Sequence, residues 1–493
     1  MKERKIKRLL AGLLAVGMLG MNVYFSDISS MALPSASTGS AIEDKELTPE
    51  EKQQKEYEET IKKAYELPIQ TNEIDGWPKA VGTYGDAAIV MDAESGAILY
   101  AKNIEKQEYP ASITKLLTAL LVYEYDAMSL NVDITAECQE CLGLGYAHIG
   151  SDVGDILTMD QAMHAMLLAS SNDIAYAIGD AVAKSQGEDY AWFIERMNQR
   201  CEELGSVNSN FLNTNGVFDE NHYSCALDMA LIGKELFKYP EFFELCKTQQ
   251  YTIPASEHSE EHVFQQKHEM LLPGYKAYSE NVIGGKTGYT SEAQNTLVTM
   301  ADDGELQLVC VVLYEYPGYV YADTQALLDY GFHNFSRVNL SEHYDSEELA
   351  GLPETVYATL PAGISTDMLE KEIVENEHTA FVEYMYEGTK VSSYVVDARE
   401  LENQKEVKAV LDEEAARQAA LETQESTKQE MLNKIFKIVK IAAVVFVILI
   451  ILLILYVRAE KERRRKERLR RRRQSLPQAL QRQLRTQGAR CLP

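Results

Sequence analysis

Tyr109-Pro110-Ala111-Ser112-Ile113-Thr114-Lys115-Leu116-Leu117-Thr118-Ala119-Leu120-Leu121 is the stretch on which the reading of this chain turns. It puts a serine at a helix start and a lysine one turn later, so Ser112 and Lys115 share a face. From Ile113 to Tyr123 the run is apolar on nearly every side, which predicts a helix buried within a domain rather than an amphipathic surface helix. A lysine inside such a helix needs a chemical reason. Backbone N–H groups and the macrodipole at a helix N-terminus favour developing negative charge, so Ser112 stands where an alkoxide or oxyanion is stabilised. The pair reads as a nucleophile with its base.

Ser-x-x-Lys alone is weak, since a chain this long carries about two such pairs by chance. Two later motifs strengthen it: Ser170-Ser171-Asn172, then Lys286-Thr287-Gly288, a triplet expected by chance in about one such chain in ten. The helical pattern through Met163, Met166 and Leu167 ends at Ser170 and resumes through Ile174, Ile178 and Ala181. Ser-Ser-Asn therefore falls in a turn between two helices, where it also suits an N-cap. Strands are predicted at 87–91 and 97–101, before the helices, and at 282–290, 296–301 and 306–314, after them. The fold class is then α/β, of α+β type: an antiparallel five-stranded sheet with a helical region inserted between its halves. Lys286-Thr287-Gly288 lies on a strand, where Gly284 and Gly285 allow a ligand backbone to come close.

The three motifs, in this order, resemble those of the penicillin-binding proteins and serine β-lactamases. Asp92-Ala93-Glu94-Ser95-Gly96, Asp219-Glu220-Asn221-His222-Tyr223-Ser224 and Asp323-Thr324-Gln325-Ala326-Leu327-Leu328-Asp329-Tyr330-Gly331-Phe332 narrow the resemblance. Over residues 77–335 the chain looks like the low-molecular-weight penicillin-binding proteins that are D-alanyl-D-alanine carboxypeptidases. The resemblance implies that Ser112 attacks the penultimate D-Ala carbonyl of a peptidoglycan stem peptide and forms an acyl-enzyme, which water then releases. Penicillins would acylate the same serine. Lys115 would be the general base, largely neutral, and Ser170 would relay a proton towards the leaving amine. Asn172, Lys286, Thr287, Gly288 and Tyr289 would bind substrate, with the N–H groups of Ser112 and Tyr289 as oxyanion hole. No cofactor or metal is implied.

Two departures from the family pattern stand out. Thr214-Asn215-Gly216 replaces a common Pro-His-Gly, and no Lys or Arg occurs between Lys286 and Arg337, where some relatives carry an arginine. With no such arginine, the ammonium of Lys286 and the hydroxyl of Thr287 are the local donors for a substrate carboxylate. A class A β-lactamase is one alternative, but no Glu-x-x-Leu-Asn loop is present to activate a deacylating water. A catalytically inactive cell-wall binding protein is the other, and the intact Ser112, Lys115, Ser170, Asn172 and Lys286 speak against it.

The rest of the chain supplies an address. Lys2, Arg4, Lys5, Lys7 and Arg8 precede an apolar run from Leu9 to Met21, so residues 1–32 read as a secretory signal peptide. A spacer at 33–76 leads to the catalytic domain at 77–335, followed by a small β domain at 336–400 with strand pieces at 355–359, 379–385 and 390–396. A charged helical stalk at 401–434 enters an apolar segment at 435–457, read as a transmembrane helix. Residues 458–493 form a basic tail, with 14 Lys or Arg against three Glu. By the positive-inside rule the tail is cytoplasmic and the body faces outward, in a single-pass cell-membrane protein. The net charge of −28 makes that body strongly acidic and argues against a nucleic-acid partner. Seven cysteines are too sparse for a dense disulfide framework, and Cys138 and Cys141, though spaced like metal ligands, lack a second such pair and read as buried free thiols. His258-Ser259-Glu260-Glu261-His262 mimics a zinc-peptidase pattern but sits in a polar segment without an obvious third ligand.

Overall fold

The computed structural model describes residues 48–396, apart from 141–142, 144, 207, 343–352, 354 and 376–378, together with 456, 460, 461, 463, 464 and 467. The expected signal peptide and stalk lie outside these residues, as do all but position 456 of the expected span and most of the basic tail. Among the described residues no helix is long and apolar enough to cross a membrane.

The chain forms two units, 1–60 and 61–493. Thr48 opens the helix Pro49–Tyr65 with a capping box: Glu51 N–H donates to Thr48 Oγ1 (3.2 Å) and Thr48 N–H to the Glu51 carboxylate (2.7 Å).

In the second unit the strands run β1 (Gly85–Asp92), β2 (Ile98–Lys102), β3 (Asn131–Asp133), β4 (Ile156–Thr158), β5 (Gln250–Ile253), β6 (His262–Gln265), β7 (Val282–Thr290), β8 (Gln294–Asp302) and β9 (Gln307–Glu315). Five of them make one antiparallel sheet in the order β2-β1-β9-β8-β7, as the sequence predicts. The central strands are apolar at almost every position because helices cover both faces. Val309 packs under Gly233 of the helix Ala226–Leu236, while its neighbour Leu308 packs under Gly331 of the helix Val320–Asn334. Successive side chains of β9 thus feed two different layers. The insert between β2 and β7 holds the buried helix Lys115–Glu124 and the helices Asn172–Ser185 and Tyr190–Glu203.

Beyond the sheet, β10 (Phe335–Asn339) pairs with β11 (Tyr357–Pro361), and β12 (Glu370–Glu375), β13 (Ala380–Tyr386) and β14 (Thr389–Val396) form a three-stranded sheet. These strands are tied to the hairpin at the end of β1. Arg337 donates twice to the fully buried Asp92 carboxylate, at 2.8 and 3.1 Å, and Thr359 Oγ1 donates to it at 2.5 Å. Burial pushes the Asp92 carboxyl up, but the Arg337 guanidinium and the hydroxyls of Thr359 and Ser95 outweigh it and hold the group below its ordinary range. Trp77 packs against both Phe335 and Tyr386.

The five described cysteines, 138, 201, 225, 246 and 310, are buried, and the last four are free. His258 sits in the turn between β5 and β6, and His262 begins β6, so the two do not share a helical face. Among the described residues no group of three or more His, Cys, Asp or Glu is placed to hold a metal ion.

Candidate active site

The backbone before the catalytic helix is bent to present Ser112. Ala111 adopts a left-handed conformation (φ 50°), a 3-10 turn spans Ala111–Thr114, and the α-helix proper begins at Lys115. Two glycines let neighbouring chain segments press against this turn. A Cβ on Gly216 (φ 80°) would sit 1.7 Å from Ala111 O, and one on Gly288 would sit 2.9 Å from Ser112 N. Strand β7 therefore passes beside the Ser112 backbone N–H, and Thr296 Oγ1 on β8 fastens the turn by donating to Pro110 O (2.8 Å).

Lys115 is fully buried, and its Nζ lies 3.1 Å from Ser112 Oγ, 2.7 Å from Asn172 Oδ1 and 2.5 Å from Asn215 O. Ser170 terminates the helical turns Ala165–Ala169 in a left-handed conformation (φ 65°), and the next helix begins at Asn172. The turn expected around Ser170-Ser171-Asn172 is present. The capping expectation is not met by Ser171: it occupies the N-cap position without a capping side-chain bond and turns its hydroxyl to Asp173 Oδ1 instead.

A cavity of about 330 Å³ opens over Ser112, lined also by Ser170, Asn172, Lys267, Thr287 and Tyr289. Gly288 lines it too, so six of the eight residues singled out in the sequence share one cavity, and Lys115 stands directly behind Ser112. Lys286 is the outlier. It is 1% exposed and does not line the cavity, and its Nζ donates to Thr287 O (2.8 Å). Burial, and then the neighbouring Lys267 cation, bring its pKa down to about 7.

Three features escape the sequence reading. Lys267, just after β6, lines the cavity and donates to Ala169 O (2.6 Å); burial lowers its pKa. It supplies a basic group that a search between Lys286 and Arg337 passes over. Asn215, in the Thr-Asn-Gly departure, contributes its carbonyl to Lys115 and its side-chain amide to Asn172 O (3.3 Å). Residues 145–147 form another wall, fixed by Asn172 N–H donating to Ala147 O (2.9 Å).

A hydroxyl beside a buried lysine amine, backbone N–H groups at a strand edge and the Lys267 side chain in the same pocket are the groups that acyl transfer through a serine nucleophile requires. The family model described as D-alanyl-D-alanine carboxypeptidase matches residues 78–316. The chain is 30% identical over 252 residues to the D-alanyl-D-alanine carboxypeptidase DacF of Bacillus subtilis, covering 50% of this chain and 62% of that one. With DacA of Escherichia coli, also a D-alanyl-D-alanine carboxypeptidase, it shares 28% over 307 residues, 57% of this chain and 72% of that one. The chain thus spans less than two thirds of the first of these relatives. Penicillin binding protein 5 of Haemophilus influenzae has the same fold, with a TM-score of 0.51 at 22% identity over 65% of this chain and 98% of that one.

Proposed function

We propose that this chain is a serine-type D-Ala-D-Ala carboxypeptidase that removes the terminal D-alanine from peptidoglycan stem peptides and is acylated by β-lactams. The observation that carries the reading is the Lys115 environment. Asn172 Oδ1 and Asn215 O accept from Lys115 Nζ and hold it 3.1 Å from Ser112 Oγ, within reach to take the hydroxyl proton once the amine is deprotonated. Ser112 Oγ then attacks the penultimate carbonyl carbon while Lys115 Nζ takes the hydroxyl proton. The N–H groups of Ser112 and Tyr289 hold the oxyanion, and Ser170 passes a proton to the departing D-Ala amine. Water, activated in the same way, releases the acyl group. Asn172 serves the substrate amide, while Thr287, Lys286 and Lys267 serve its terminal carboxylate.

The experiment is covalent labelling of the purified protein by a fluorescent penicillin, with D-Ala release measured in parallel. Ser112→Ala should lose both while its melting curve stays close to wild type. Labelling of that variant at the wild-type rate would remove Ser112 from the mechanism. The leader, the outward-facing body and the membrane span are part of the same proposal and rest on the charge and hydropathy of 1–32 and 435–493. Protease added to intact protoplasts should remove the body and spare the basic tail; an accessible tail refutes the topology.

A further inference from the structure

The cavity wall at 145–147 and the wall that carries Lys267 are separate pieces of chain, and one carboxylate joins them. Residues 145–155 run from the cavity edge to β4, and at their far end Asp155 is 3% exposed. Its two oxygens accept the hydroxyls of Ser256 and Ser259, both in the turn between β5 and β6. Ser259 Oγ in turn accepts Asp152 N–H (2.9 Å), and Ser256 Oγ accepts the N–H groups of His258 and Ser259 (2.9 Å each). The His258 ring lies against Gly154, where a Cβ would come within 3.3 Å of it. Although burial works to raise the Asp155 carboxyl, the two seryl hydroxyls hold it below its ordinary value, so both oxygens act as acceptors at neutral pH.

Each partner leads to the catalytic groups. Ala147 O receives Asn172 N–H, and Ile149 N–H donates to Ser171 Oγ (3.1 Å), so the loop is fastened to Ser170-Ser171-Asn172. On the other side β6 runs from the clasped turn into Lys267, whose ammonium reaches Ala169 O on the turn before Ser170. We infer that Asp155 is a positioning residue for catalysis: by clasping 145–155 to the β5–β6 turn it fixes the distance between the wall holding Asn172 and the wall holding Lys267, and so the grip on the substrate peptide and its carboxylate.

This inference rests on the carboxypeptidase reading. The wild-type protein, measured in the same series for D-Ala release, tests that reading separately. Asp155→Ala, Asp155→Asn, Ser256→Ala/Ser259→Ala and the triple variant are titrated with penicillin, so that rates refer to acylable sites and unfolded protein drops out. A misplacement of about 1 Å remote from the chemistry costs up to about a hundredfold. Asp155→Ala should therefore lower kcat/KM per site by roughly ten- to a hundredfold, mostly through KM. Asp155→Asn, which keeps one acceptor oxygen, should lose less. The triple variant should be no worse than Asp155→Ala alone, because one clasp is being removed twice. An unchanged kcat/KM per site, even with a lower melting temperature, overturns the inference and makes the clasp purely structural. Additive losses overturn it as well, as does a loss confined to kcat.

Discussion

Gly288→Ala tests the idea that the nucleophile is placed by the approach of β7 to the Ser112 turn. The new Cβ would lie 2.3 Å from Thr296 Oγ1, 2.9 Å from Ser112 N and 3.1 Å from Pro110 O. The first is about 1 Å inside ordinary van der Waals contact, and the hydroxyl cannot swing away without giving up its bond to Pro110 O. Something must move, and relief of the contacts with Ser112 N and Pro110 O shifts the Ser112 N–H relative to Tyr289, on the strand that carries the other half of the proposed oxyanion hole. Overpacking of this kind costs about 1–3 kcal/mol of stability, while a shift near 1 Å costs up to about a hundredfold in rate. The variant should stay folded, with a melting temperature a few degrees lower, and acylate with fluorescent penicillin at least tenfold more slowly. Adding Thr296→Ala removes the worst clash but leaves the other two, so recovery should be partial. Acylation of Gly288→Ala at the wild-type rate would show that the close approach is incidental to catalysis.

Lys115→Arg should be nearly as inactive as Lys115→Ala in penicillin acylation, because arginine keeps charge but does not give up its proton at working pH; substantial activity would mean that charge alone suffices. Thr287→Val should lower kcat/KM for D-Ala-D-Ala peptides by roughly ten- to a hundredfold and cost C-terminally amidated peptides much less; equal losses would place the carboxylate elsewhere. Lys267→Ala should show the same preference for hurting acids over amides. Since the Lys286 pKa is lowered from 10.5 to about 7, its cation is present below that pH and lost above it. KM for carboxylate substrates should therefore rise as pH climbs through about 7, and in Lys267→Ala the rise should move to higher pH because a repelling cation has gone. A KM that is flat from pH 6 to 9 would separate Lys286 from carboxylate binding.

The sheet was legible because a strand buried on both faces spells itself as a continuous apolar run, as Leu308 to Leu313 does. Ser112 and Lys115 were legible because a lysine is conspicuous in an apolar helix. Strand β12 was not seen, since Glu370-Lys371-Glu372 carries charge where a strand signal needs apolar or β-branched residues. Lys267 was missed for a different reason: it follows β6 in an irregular stretch without periodicity, and only the pairing of β5 with β6 brings it to the cavity. The Asn215 contribution to Lys115 is a backbone carbonyl, which every residue possesses and no composition reveals. The burial of Lys286 and its bond to Thr287 O come from packing around β7 that the motif itself does not spell.

The buried contact of Arg337 with Asp92 changes where this chain can be cut. The match to the family model ends at residue 316, yet the carboxylate at the end of β1 is neutralised by a guanidinium 245 positions further along the chain. Removing one partner of a buried ion pair typically costs about 3–5 kcal/mol, a large share of a domain's total stability. The segment that the family model matches and the segment that closes the Asp92 ion pair are thus different lengths of chain. A recombinant fragment trimmed to the shared part would leave Asp92 without its counter-charge, and its failure to fold would say nothing about Ser112.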